Sequence, residues 1–126
     1  MIKIWKMKDV DWMGYKLQKR DTFTFHHLIV PAREGGLYSI NNGAILCGRT
    51  SHPYLHVIER IDYDRFLYIT SLLIEINALG RLDINVIKKI DSCLKYFEKE
   101  HINDRTKNKK RVIKPEYLRR DYSRLK

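Results

Sequence analysis

The chain has 126 residues, and 25 Lys and Arg against 15 Asp and Glu leave a formal charge of +10. That length fits one small domain and excludes a large multidomain enzyme. With 44% hydrophobic and 32% charged residues, the chain can bury a core, so wholesale disorder does not suit it.

In chain order, Ile2 to Met7 alternates loosely enough for a short edge strand, and Asp11 to Arg20 is mixed, with a turn at Gly14. The run from Thr22 to Val30 is rich in β-formers and predicts a strand ending before Pro31. Gly35-Gly36 signals a loop or hairpin return, and Gly43 to Cys47 is the expected partner strand. Thr50 or Ser51 suits a helix N-cap, and Pro53 is compatible with a first turn, so a short helix is predicted through about Arg60. Phe66, Ile69, Leu73 and Ile76 recur at three- and four-residue steps, predicting a helix over Tyr63 to Leu79 with Gly80 at C′. Val86, Ile87, Ile90, Cys93, Leu94 and Phe97 form a second stripe, predicting a helix over Asp83 to Glu100 with Lys88, Lys89, Lys95 and Lys99 largely outside it. Asn103 to Lys110 reads as a charged linker, and Pro115 to Leu125 as a final basic helix. Residues 1–100 are read as a single domain and 101–126 as a basic linker and helix.

From His101 to Lys126 there are ten basic and three acidic side chains, so this quarter of the chain or less carries +7 and the first hundred residues only +3. A cationic tail of this kind suits a polyanion, nucleic acid being the commonest, although solvated basic tails also occur without a partner. No apolar run approaches the ~18 residues of a membrane span, and Met1 to Trp12 lacks the uninterrupted apolar stretch of a signal peptide. A soluble cytoplasmic protein is the expectation. Cys47 and Cys93 fit no Cys-x-x-Cys pair and are read as buried small apolar residues.

Four of the five histidines, His26, His27, His52 and His56, fall within residues 26–56, while His101 sits where a helix C-terminus explains it. His26 and His27 are adjacent on a predicted strand and must point to opposite faces, so one is free to meet a metal while the other faces substrate or core. His52 and His56 lie one turn apart on one helix face, which is ligand spacing. Three imidazoles leave coordination positions open for water and substrate.

The order His26-His27, Pro31, Gly35-Gly36, Asn42, Cys47 and His52-x-x-x-His56 resembles the ββα-metal motif of HNH endonucleases, including the colicin-like branch with paired histidines. The resemblance covers about residues 22–60. It implies an α+β fold: a ββα-metal core followed by two longer helices and a basic C-terminal tail. It further implies that His26, His52 and His56 hold one divalent cation, that His27 is the general base, and that Asn42 orients it. The reaction implied is hydrolysis of DNA, double-stranded in the first instance, to 5′-phosphate and 3′-hydroxyl ends. Three imidazoles favour zinc, nickel or manganese over magnesium, although nucleases of this family commonly use magnesium. Arg20 is a candidate phosphate clamp, and Lys107, Lys109, Lys110 and Arg111 are candidate backbone contacts.

The chain departs from the family pattern in three places. Pro31 and Gly35-Gly36 lie one residue further from His27 than usual, and one extra residue separates Cys47 from His52. Where many members carry two Cys-x-x-Cys knuckles for structural zinc, Cys47 stands at one position, Ser51 at its mate's, and no upstream pair exists. The structural zinc is therefore expected to be absent. The competing readings are a non-catalytic ββα-metal protein that acts as a nucleic-acid-binding or inhibitory module, and a basic adaptor whose histidines serve packing.

Overall fold

A computed structural model describes residues 10–28 and 43–122. The expected edge strand at Ile2–Met7, the Pro31 and Gly35-Gly36 loop, and Asn42 lie outside the described residues.

Among the described residues the fold is α+β, with a two-stranded antiparallel sheet and three α-helices. Strand β1 is Phe23–His27 and β2 is Gly43–Cys47, in a register that sets Phe23 opposite Cys47 and His27 opposite Gly43. Gly43 is required there: a Cβ would meet the Phe25 ring at 2.1–2.7 Å. Helices α1 (Ser51–Ile61), α2 (Tyr63–Leu79) and α3 (Ile84–His101) follow. Local chemistry sets their ends. Asp62 accepts from Arg65 N at the start of α2, Gly80 closes it at φ 70°, and Asp83 accepts from Asn85 N and Val86 N at the start of α3. Thr50, expected to cap α1, makes no side-chain cap bond.

The core gathers Leu46, Leu55, Ile58, Ile69, Ile87 and Phe97 from the strands and helices, and Trp12, Met13 and Tyr15 from the segment before them. Asp11 ties that segment down. Its carboxylate accepts from Met13 N (2.9 Å), Tyr15 N (3.0 Å), Cys47 N (2.9 Å) and the Ser51 hydroxyl. Burial pushes its pKa above the ordinary carboxylate value against the pull of those donors. Cys47 and Cys93 are buried free thiols.

The segment after α3 differs from its sequence expectation. Residues 104–112, most of them read as a charged linker, form a hydrogen-bonded loop: Val112 N donates to Asp104 O, Thr106 N to Lys110 O, and Lys109 turns at φ 61°. Of the expected helix over 115–125, the described residues to 122 form a single 3₁₀ turn, Pro115–Leu118. Tyr117 is buried, stacked on Tyr54 at 4.7 Å. Arg120, 6% exposed, donates to Asp91 Oδ1 (2.7 Å) and bidentately to Glu98 (2.7 and 2.9 Å), and Glu98 also accepts from the Tyr54 hydroxyl (2.7 Å). Despite burial, these and neighbouring hydrogen bonds hold Asp91 below its ordinary pKa. One of the tail's cations is thus internal rather than available to a partner. Among the described residues no helix is long and apolar enough to cross a membrane.

Candidate metal centre

Strand alternation puts Thr24 and His26 on one face of β1, with Phe25 and His27 on the other. The first face meets α1. His26 Nδ1 lies 3.3 Å from His52 Nε2, the ring centroids of His26, His52 and His56 are 5.1–5.4 Å apart, and one ligand atom from each lies within 4.8 Å of the others. Tetrahedral ligands about 2.0–2.1 Å from zinc are separated by roughly 3.3 Å. The closest pair already has that spacing, and the third imidazole needs a shift of an ångström or so.

Side-chain hydrogen bonds select the nitrogens that face inward. Thr24 Oγ1 donates to Leu46 O (2.9 Å), so towards His52 Nδ1, 2.6 Å away, it is an acceptor. That bond fixes the proton on Nδ1 and leaves the Nε2 lone pair facing His26. Glu59 Oε1 accepts from His56 Nδ1 (3.0 Å) and does the same one turn along α1. Such outer partners orient metal-binding imidazoles and raise their basicity. Thr24 and Glu59 were missed in the sequence, where their only signals are a two-residue step from His26 and a three-residue step from His56.

The trio runs from a buried floor to an open rim: His26 is 5% exposed, His52 is half-buried, and the His56 side chain is 52% exposed. His26 Nε2 is buried without a hydrogen-bond partner among the described residues, an uncompensated polar atom in a cluster of neutral nitrogen donors. Phe66 of α2 packs edge-on against the His26 ring at 6.4 Å. Burial, reinforced by the charges of His52, His56 and His27, pushes the His26 pKa down to about 3, and burial lowers that of His52. Both therefore stay neutral near pH 7, the form that binds a cation. These three residues are close enough to hold a metal ion, and the donor set fits one.

The lowered His26 pKa has a thermodynamic sign. The unfolded chain protonates near pH 6.5 and the folded chain only near 3, so the unfolded state binds the proton first and stability falls as pH drops through that window. The expected slope for His26 is roughly 1.4 kcal/mol per pH unit. Urea denaturation of the metal-free chain at pH 7 and 5, compared with a His26→Asn variant, measures it; identical slopes in the two proteins would refute the assignment.

The other expected site residues fall as follows. His27 lies on the opposite face of β1, half-buried, its ring 4.8 Å from that of Phe25. It is near enough for its charge to oppose protonation of His26 and His52. Asn42 lies outside the described residues. Arg20 is exposed in the turn before β1 at φ 68° and makes no ion pair among the described residues. Lys107, Lys109, Lys110 and Arg111 are exposed on the 104–112 loop.

Asp62, Glu100 and His101 also cluster, but their charges are already met: Arg65 bridges Asp62 (3.1 Å) and Glu100 (2.7 Å), and His101 pairs with Asp104 (2.7 Å). A shallow groove of about 560 Å³ beside the start of α1 is bordered by Lys19, Asp21, Arg49 and Glu116 and by none of the histidines; its mixed charges select no ligand. In comparisons with known proteins, no family model, curated protein or solved structure matches the chain.

Proposed function

We propose that the chain is a metal-dependent endonuclease of the ββα-metal (HNH) type that hydrolyses phosphodiester bonds in DNA. The observation that carries this reading is the meeting of three imidazoles, two of them oriented through Thr24 and Glu59, with a fourth imidazole next to them on β1. Three uncharged ligands leave the full charge of a divalent ion directed at its open positions, which suits an anionic substrate more than a structural role. When bound, the ion supplies Lewis-acid neutralisation of the scissile phosphate.

His26, His52 and His56 are the proposed ligands, with His26 the buried anchor and His56 at the rim where substrate arrives. His27 takes the proton of the attacking water as the new P–O bond forms; the P–O3′ bond breaks with its electron pair leaving on O3′, which takes a proton from solvent water, giving 5′-phosphate and 3′-hydroxyl ends. All-imidazole coordination favours zinc, nickel or manganese over magnesium. The test is plasmid nicking by the purified chain with each ion in turn and with EDTA. Nicking with at least one ion, abolished by EDTA, is the expected result; DNA binding without nicking in any ion would instead support the non-catalytic module.

The exposed loop supplies affinity in this reading. The salt dependence of binding should fall by about 0.9 per lost phosphate contact, so a Lys107→Gln/Lys110→Gln/Arg111→Gln variant is expected to lower the slope of log K against log salt by roughly 2–3 with metal binding unchanged. A slope equal to wild type would remove the loop from the interface.

A further inference from the structure

Along α3 four lysines and three acids read as a nearly neutral sequence, Lys88, Lys89, Lys95 and Lys99 against Asp91, Glu98 and Glu100. The fold separates them. Asp91 and Glu98 turn to Arg120, and Glu100 turns to Arg65 at 2.7 Å. Lys88, Lys89 and Lys99 have no ion-pair partner among the described residues, and Lys95, paired with Asp91 at 3.1 Å, keeps a side chain 71% exposed.

At 100° per residue, Lys88, Ser92, Lys95, Tyr96 and Lys99 fall within an arc of roughly 100°, with Lys89 at its edge. Tyr96 stands in this row as the most exposed large hydrophobic residue, at 65%, and its ring meets no other ring among the described residues. From Lys88 to Lys99 the face runs about 16 Å, and the loop that follows α3 presents Arg105, Lys107, Lys109, Lys110 and Arg111, all exposed. The result is a strip of exposed cations, most of them without an acidic partner among the described residues, with one flat aromatic ring standing in it.

We propose that the outward face of α3 is a binding surface for single-stranded nucleic acid, with the lysines on phosphates and Tyr96 stacked on an unpaired base. The cations supply the affinity for the backbone. The aromatic ring decides the strand state, because a base presents its face to a side chain only when it is unpaired. A membrane surface fits less well: an interfacial helix inserts an apolar face, and the apolar face of α3 is buried in the core. None of the residues of this face belongs to the histidine centre, and its occupancy needs no metal.

The test uses the full chain in EDTA, with fluorescence anisotropy of a labelled single-stranded oligonucleotide and its duplex at several salt concentrations, and co-sedimentation with vesicles containing phosphatidylserine. Tyr96→Ala is expected to weaken single-strand binding about tenfold without changing the salt slope or duplex affinity, and Tyr96→Phe to restore it. Lys88→Gln/Lys89→Gln/Lys99→Gln is expected to lower the single-strand salt slope by about 2. Unchanged single-strand binding by Tyr96→Ala, equal losses on both strand states, no single-strand binding by the wild type, or retention on vesicles but not on oligonucleotide would each overturn the proposal. Plasmid nicking with added metal is read separately, so loss of this surface and loss of the nuclease reading are distinguishable.

Discussion

Replacing His27 by alanine is expected to lower metal-dependent plasmid nicking by roughly 10²–10⁴-fold, the usual share of a positioned general base, while leaving metal affinity unchanged. The two effects separate because His27 is not one of the three clustered ligands and faces the other side of β1 from His26. His52→Ala should behave differently. It removes both a proposed ligand and the Nδ1–H that donates to Thr24 Oγ1, so metal affinity and nicking fall together. Cobalt or zinc titration and nicking on the same preparations read both variants, and equal nicking by wild type and His27→Ala would sink the assignment. Thr24→Val gives a finer test of the orienting bond: loss of the outer hydrogen bond of a metal-bound histidine costs about 10–100-fold in affinity or activity.

The largest stability effect is expected at Arg120. Removing one partner of a buried charge pair costs about 3–5 kcal/mol, and Arg120→Ala strands two carboxylates at once, Asp91 and Glu98. A fall in Tm of roughly 10–20 °C follows for a chain of this size, measured by thermal denaturation. Arg120→Met combined with Glu98→Gln should recover part of the loss, because the uncompensated charge is reduced; a single variant as stable as wild type would show the network to be energetically idle. The same carboxylate holds Tyr54, which lies between His52 and His56 on α1, so a loosened Glu98 reaches the helix that carries two of the three imidazoles. Truncation after His101 would remove this guanidinium together with the surface cations. Point substitutions in the loop are therefore the way to read nucleic-acid affinity by itself.

Much of the architecture was legible because its signals are local. Gly80 and Asp83 punctuate the chain where α2 ends and α3 begins, and β2 and α2 occupy the residues their patterns predict. The four-residue step from His52 to His56 was legible for the same reason, while the choice of His26 over its neighbour His27 came from the family resemblance. What escaped depends on contacts remote in sequence. Asp11 meets Cys47 across 36 positions with no pattern to announce it. Thr24 and Glu59 became meaningful only once the face of β1 that meets α1 was known. The basic segment over 115–125 was expected to be helical, yet the chain turns out after Leu118, with Arg119 at φ −95° and ψ 74°, and Arg120 reaches the acids of α3. The segregation of charge on α3 has the same origin, since it depends on where Arg65 and Arg120 arrive.

The Asp11 clamp sets how this molecule meets its surroundings. Cys47 and Ser51, the positions where a zinc knuckle would place ligands, are joined here through one carboxylate that accepts from three backbone N–H groups and a hydroxyl. Hydrogen bonds of this kind are indifferent to metal scarcity, chelators and thiol oxidants, all of which dismantle a thiolate–zinc crosslink. In the proposed function the histidine centre, in contrast, answers directly to metal supply. On the proposed function, loss of the ion would empty the histidine site and leave the hydrogen bonds of this clamp in place.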